Sequence, residues 1–218
     1  MKADSDINIA KYIEHTCLRP NAVKADIEKL CLDAVKYNFK GVCVNPSFVS
    51  FAADLLKGKK PMVVAVVGFP LGASQGPAKA FEAKEAIASG AEEIDMVVNI
   101  GAVKEKDYKT VFEDISGVVN EVRPHHVKVI IETCFLTREE KIIAAALAEV
   151  AGADFIKTST GFGSGGATVA DIELLKSVIG KNMRIKAAGG IKTKKDALAM
   201  ITAGADRIGA SLSLDIVR

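Results

Sequence analysis

The sequence predicts an α/β protein folded as a closed TIM-type (β/α)8 barrel, and three observations carry the prediction. Short β-rich apolar runs alternate with helical patterns from end to end. Their starts recur at roughly 20 to 35 residues, the length of one βα unit. One junction phrase also repeats, as SGAEEID, AGADFIK and AGADRIG, so Gly90, Gly152 and Gly204 mark equivalent corners where a helix ends and a strand begins. Strict alternation of strand and helix puts a parallel sheet under a cover of helices. An open doubly wound sheet is the structural alternative.

Seven strands are read directly: GVCV at 41–44, MVVAVVGF at 62–69, EIDMVVN at 93–99, VKVIIE at 127–132, DFIKTST at 154–160, RIKAAGG at 184–190 and DRIGAS at 206–211. Closure needs an eighth, and the candidate is the short IEHTCL at 13–18, preceded by a short N-terminal helical extension. Between the strands, IEKLCLDAVKYN, PAKAFEAKEAIASG, TVFEDISGVVNEV, REEKIIAAALAEVAG, TVADIELLKSVIG and KKDALAMITAG carry apolar residues at helical spacing. Barrels of this kind occupy about 200 to 250 residues in one piece, so residues 1–218 are expected to form a single domain.

Composition narrows the function. The net charge is +2, acids and bases are interspersed, and there is no tryptophan and no basic block, which argues against nucleic acid as a partner. The start MKADSDINIAKYIEH is polar and acidic where a secretory leader needs a basic start and an apolar run, and no apolar stretch approaches a membrane span. A soluble, cytoplasmic protein without membrane partners is expected. Cys17, Cys31, Cys43 and Cys134 form no CxxC pair, so neither a metal site nor a disulfide framework is expected.

The chemistry is sought where strands end, because the C-terminal mouth of a parallel barrel holds its functional groups. In FIKTST, Phe155, Lys157 and Ser159 share one face, which sets an ammonium inside an apolar strand. On EIDMVVN the apolar face of Ile94, Met96 and Val98 must meet the helices, which turns Asp95 and Asn99 inward. On the strand after Lys157, Lys186 shares a face with Arg184 and Ala188. Taken singly, Asp95 reads as a structural ion pair and Lys186 as a solvated lysine; together with an inward Lys157 they read as a site. Neighbouring strands lie about 4.8 Å apart, so the two ammonium groups can approach to ~6 Å. At that distance and an effective dielectric near 20 they repel by about 2.8 kcal/mol, worth roughly two pKa units, so one amine of the pair is expected neutral near pH 8. Asp95 opposes the shift and desolvation supports it. A neutral lysine beside a protonated one and a carboxylate is what imine chemistry requires.

The loops suggest the substrate. Gly161, Gly163, Gly165 and Gly166 follow one strand, Gly189 and Gly190 the next, and Gly209 with Ser211 the last. Any one glycine by itself turns the chain, but together they offer backbone N–H groups to a phosphate where barrels often bind one. Thr16 and His15 end the first strand and face the pocket, Cys43 ends the second, and Thr158 adjoins Lys157; Thr16, Cys43 and Thr158 are counted with Gly161, Gly189, Gly190, Gly209 and Ser211 as substrate contacts. His125 and His126 sit at the opposite, stability end and read as surface residues. GFGSGG also fits GxGxxG, but the next strand carries Lys186 where a dinucleotide fold places an acid, so that match is weak.

The segments EHT, GFPLGA, EIDMVVNIGA, KVIIET, FIKTSTGFGSGGAT and IKAAGGI occur in this order over nearly the whole chain and closely resemble the 2-deoxyribose-5-phosphate aldolase family. The resemblance implies a class I aldolase on a TIM barrel that cleaves 2-deoxy-D-ribose 5-phosphate to D-glyceraldehyde 3-phosphate and acetaldehyde, with no metal or other cofactor, and that assembles as a homo-oligomer, a dimer or higher. It implies that Lys157 is the Schiff-base lysine, Lys186 the second lysine and Asp95 the proton carrier. Two departures stand out: Glu14 replaces the family's usual aspartate in the outer proton network, and Leu212 stands where relatives often have a second serine beside the phosphate. The rival readings are another phosphate-binding Schiff-base aldolase or sugar-phosphate isomerase on the same barrel, and a non-catalytic sugar-phosphate binding protein. The last gives no reason for two lysines and an aspartate aimed inward.

Overall fold

The computed structural model of the protein describes residues 7–218. Eight parallel strands close into a barrel in chain order, β1 to β8. β1 (Ile13–Cys17) makes the closure, pairing with β2 (Gly41–Val44) on one side and β8 (Arg207–Ala210) on the other. Between them run β3 (Met62–Val67), β4 (Glu93–Val97), β5 (His126–Ile130), β6 (Phe155–Lys157) and β7 (Arg184–Ala188). The short IEHTCL run is therefore the eighth strand. An open doubly wound sheet is excluded, because β1 and β8 are joined through Ile13 to Ile208 and Glu14 to Gly209.

The predicted helices are α1 (Lys24–Tyr37), α3 (Gly76–Ala88), α5 (Tyr108–Val122), α6 (Arg138–Val150), α7 (Val169–Val178) and α8 (Lys194–Ala203), interleaved with the shorter α2 (Val49–Leu56), α4 (Ile100–Glu105) and α9 (Ser213–Val217). No helix of the described residues is long and apolar enough to cross a membrane. Before β1 the described residues form only one 3-10 turn, Ile9–Tyr12. The rest of the expected N-terminal extension, residues 1–6, lies outside the described residues.

Local chemistry sets the ends of these elements. Gly90, Gly152 and Gly204 adopt φ of 105°, 87° and 119°, the left-handed region that lets a helix stop and the chain turn into the next strand. α6 opens with a reciprocal cap: Thr137 Oγ1 accepts from Glu140 N–H, and the Glu140 carboxylate accepts from Thr137 N–H. Thr193 and Asp196 repeat the device at α8. The strands' outward residues, among them Ile94, Met96, Val127, Val129 and Ile185, are fully buried against helix residues such as Ile115, Val118 and Ala144. Inside the barrel the apolar part is small, with Leu18, Cys43, Val64, Val66, Ile130 and Phe155 among its members, and charged side chains are buried beside it.

Candidate active site

The inward positions of β4 to β8 form a stacked set of ionisable groups. At the bottom, the Phe155 ring is covered by the Arg184 guanidinium at 4.0 Å and approached by Arg207 at 5.4 Å and the Lys128 ammonium at 5.7 Å. This floor closes the N-terminal end of the barrel. Above it Lys128, opposite Asp95 in register, donates to Asp95 Oδ1 at 2.9 Å and lies 2.6 Å from Glu93 Oε2 and 3.7 Å from Glu14 Oε1. Higher still, Lys157 and Lys186 are register partners on β6 and β7, and both ammonium groups donate to Asp95 Oδ2 at 2.6 Å. Lys186 also bonds Glu14 Oε2. The two lysine nitrogens thus share one oxygen, closer than the ~6 Å that strand spacing alone suggests.

Three lysines and three carboxylates pair with one another in the buried interior, and Arg207 lies 3.7 Å from Glu14 Oε1. Lys128 and Lys186 are fully buried, as are Glu14 and Asp95. Lys157 is the member with a single carboxylate partner, and it also reaches the cavity. Burial alone would raise the Asp95 pKa, but the charges of Lys128, Lys157 and Lys186 outweigh it and hold the carboxyl well below its usual range. Burial would lower Lys186, but Asp95 and Glu14 overcome it and push the amine up, so Lys186 stays charged. Cys43, whose thiol lies 4.0 Å from Asp95 Oδ2, is pushed up to about 11 by burial.

Over Lys157 opens a cavity of about 250 Å³ at the C-terminal mouth. It brings together Lys157 with Thr16, Gly161, Gly189, Gly190, Gly209 and Ser211. Leu18 and Leu212 add an apolar side, and Leu212 occupies the position where the family resemblance leads one to expect a serine. Gly189 and Gly190 have φ of 85° and 77°, so their backbones turn in a way an L side chain rarely permits. Gly209 serves a second purpose: a Cβ there would meet Lys186 Cε at 3.1 Å, so its lack of a side chain makes room for the buried lysine.

Several expected residues are placed elsewhere. Cys43 is buried beneath the cavity beside Asp95 and does not line it. Thr158 faces away from the mouth; its hydroxyl donates to Ala188 O at 3.0 Å and accepts from Ala188 N–H at 3.1 Å, which latches β6 to β7 and ends the strand at Lys157 rather than at 160. Asn99 does not point into the barrel. β4 stops at Val97, and the Asn99 side chain caps α4 by accepting from Ala102 N–H at 3.1 Å. His15 faces outward, edge-on to Phe39 at 5.5 Å, because its neighbours Glu14 and Thr16 take the inward positions. His126 is half-exposed at the start of β5, 3.4 Å from Glu93 Oε1.

Two members were not singled out as ligands of the site from sequence. Lys128 lies two residues before Ile130 and shares its inward face, so the alternation that selected Lys157 also selects Lys128 once Asp95 is known to sit opposite. Glu132 follows β5 with φ 50° and is 2% exposed, and its only signal was the acid that ends KVIIET. Among the described residues, no group of three or more His, Cys, Asp or Glu is arranged to hold a metal ion.

A parallel barrel with a buried amine at its mouth, set between a carboxylate and a second ammonium, defines a TIM-barrel enzyme equipped to handle carbonyl compounds. Residues 9–217 match the family described as DeoC/LacD family aldolase. The chain is 56% identical over 209 residues to the deoxyribose-phosphate aldolase of Clostridium perfringens (strain SM101 / Type A), covering 95% of this chain and 93% of that one. It is 56% identical over 213 residues to the deoxyribose-phosphate aldolase of Thermococcus kodakarensis, covering 96% and 95%. A solved tetrameric deoxyribose phosphate aldolase from Aeropyrum pernix superposes with a TM-score of 0.91 at 29% identity, over 100% of this chain and 92% of that one. The protein belongs to the DeoC/LacD family of aldolases.

Proposed function

We propose that this protein is a class I aldolase that reversibly cleaves 2-deoxy-D-ribose 5-phosphate to D-glyceraldehyde 3-phosphate and acetaldehyde, and that residues 1–218 act as one catalytic domain. The observation that carries the reading is the shared Asp95 oxygen, 2.6 Å from the amines of both Lys157 and Lys186. Relatives named for this activity are 50 to 56% identical to the chain.

The Lys157 amine, once its proton has passed to Asp95 or water, adds to the open-chain C1 aldehyde, and loss of water leaves an iminium. Asp95, directly or through one water, takes the proton of the 3-hydroxyl. The C2–C3 electron pair moves into the iminium, glyceraldehyde 3-phosphate leaves, and an enamine remains on Lys157. Asp95 with Lys186 returns a proton to C2, and water then hydrolyses the imine to free Lys157 and release acetaldehyde. Lys186 stands beside Lys157 on the same Asp95 oxygen, within reach of a group bound there. The iminium is the electron sink, so the reading needs no metal. In this reading the phosphate binds at the backbone N–H groups of Gly161, Gly189 and Gly190 and at Ser211, which line the same cavity as Thr16. Cys43 and Thr158 enter this reading as supports for Asp95 and for the β6–β7 junction. A phosphorylated sugar is retained inside cells by its charge, which fits a cytoplasmic enzyme, and a homo-oligomer fits the tetrameric Aeropyrum relative.

Borohydride reduction in the presence of deoxyribose 5-phosphate, followed by peptide mass spectrometry, tests the reading. A reduced adduct is expected on Lys157, with acetaldehyde release unaffected by EDTA. An adduct confined to any other lysine would refute it.

A further inference from the structure

The glycine turn after β6 is held at its two ends by different groups, and one of them has no part in the reaction described above. Glu132, immediately beyond β5, is buried and takes a left-handed backbone, φ 50° and ψ 70°. That conformation is uncommon for a side chain of its size. It aims the carboxylate across to the next loop, where Oε2 accepts from Thr160 N–H at 3.2 Å and from the Thr160 hydroxyl. Thr160 Oγ1 in turn accepts from Phe162 N–H at 3.0 Å, so Gly161, at φ 87°, is spanned by a short chain of bonds beginning at Glu132. The carboxylate also accounts for Gly163: a Cβ there would meet Glu132 Cδ at 3.1 Å and Cys134 Sγ at 2.9 Å. The far end of the turn is fixed separately, by Ala167 N–H to the carbonyls of Ala188 and Gly189.

The Lys157 stretch is held by bonds other than those of the Glu132 carboxylate. The Lys157 carbonyl accepts from Ile131 N–H at 3.1 Å, the Thr158 carbonyl accepts from Thr133 N–H at 2.9 Å, and the Thr158 hydroxyl is latched to Ala188. The reacting amine and the anion-facing turn are thus held by different bonds, the first by backbone groups of Ile131 and Thr133 and the second by the Glu132 side chain between them.

We infer that Glu132 is a positioning residue that shapes the Thr160–Gly163 turn to receive the phosphate of the substrate, and that it sets the preference for phosphorylated over unphosphorylated sugar. The inference rests on the proposed aldolase reading for the identity of the anion. Glu132→Gly relieves the left-handed backbone while removing the carboxylate, and Glu132→Gln keeps one oxygen that can accept both Thr160 donors.

The measurement is the ratio of kcat/KM for deoxyribose 5-phosphate to that for 2-deoxyribose. In Glu132→Gly the ratio is expected to fall about tenfold, chiefly through KM for the phosphorylated sugar, the loss that follows from one misplaced charge-assisted contact. Glu132→Gln is expected to restore most of it. An unchanged ratio, with both substrates losing equally, overturns the inference. If Glu132→Gly does not fold, Thr160→Val breaks the same chain of bonds and is judged by the same ratio. If the wild type releases no acetaldehyde, the aldolase reading fails on its own. The clamp is then judged by 31P NMR titration with inorganic phosphate, where weaker binding by Thr160→Val supports it, and equal binding, or none by the wild type, overturns it.

Discussion

Lys157 and Lys186 are direct register partners on adjacent strands, and their ammonium groups converge on a single oxygen of Asp95. Their surroundings differ. Lys186 has Glu14 as a second carboxylate partner and is sealed from solvent, whereas Lys157 has Asp95 alone and opens into the cavity. One lysine is held in its charged form and sealed in, and the other reaches the cavity.

This division predicts large kinetic effects at both supporting groups. Asp95→Ala and Lys186→Leu are each expected to lower kcat by about a hundredfold to ten-thousandfold, the usual range for loss of a proton-transfer group. Each also strands a buried partner, at a cost of about 3 to 5 kcal/mol in stability. Turnover should therefore be measured well below the Tm of each variant, and near-normal kcat in a folded variant would remove that residue from the mechanism.

Gly209→Ala tests the packing around Lys186 without touching a charge. The added Cβ would lie 3.1 Å from Lys186 Cε and 3.0 Å from Ala188 Cβ, tighter than normal contact, so the lysine must shift. A displacement of this size near the reacting groups is expected to lower kcat about tenfold or more. A crystal structure of the variant with Lys186 unmoved, or unchanged turnover, would contradict the assignment.

Lys128 is predicted to be a stability residue with a kinetic side effect. Lys128→Met leaves Asp95 Oδ1 and Glu93 Oε2 without their cation and is expected to cost about 3 to 5 kcal/mol. Combining it with Glu93→Gln should cost less than the two changes added together, because the second removes a charge that the first orphaned. Denaturant unfolding of the four proteins measures the difference, and strict additivity would show that the pair is not coupled.

His15 gives the fold an acid-side slope. Burial against Phe39 lowers its pKa, partly offset by the Ala210 backbone and by Asp33. A histidine depressed in the folded state contributes stability that is full above its unfolded pKa, about 6.5, and is lost as pH falls through the folded value. Unfolding free energy is expected to decline below about pH 6.5 in the wild type, and His15→Phe should remove that part of the decline. An identical slope in the variant would rule His15 out as its source.

Much of the fold was legible because its punctuation is local. The glycine corners at 90, 152 and 204 and the alternation within each strand are properties of a few residues, and they located the strands and turned Asp95, Lys157 and Lys186 inward. What was hidden depends on partners distant in sequence. Asn99 continues the inward face of EIDMVVN on paper, yet cap formation at α4 takes it out of the strand. Thr158 reads as strand until Ala188, 30 residues away, captures its hydroxyl. The partner of Lys128 emerges only from its register with Asp95, 33 residues away. The helices α2, α4 and α9 are eight, six and five residues long, too short for periodicity to declare them.

The Phe155 ring under its two guanidinium groups leaves the barrel a vessel with one door. Whatever occupies the cavity over Lys157 lies between that stopper and the opening, so traffic queues. Substrate must come in, and both products must go out, by the same route. Passage through a single opening is written into the plugged end of the barrel rather than into the groups around Asp95.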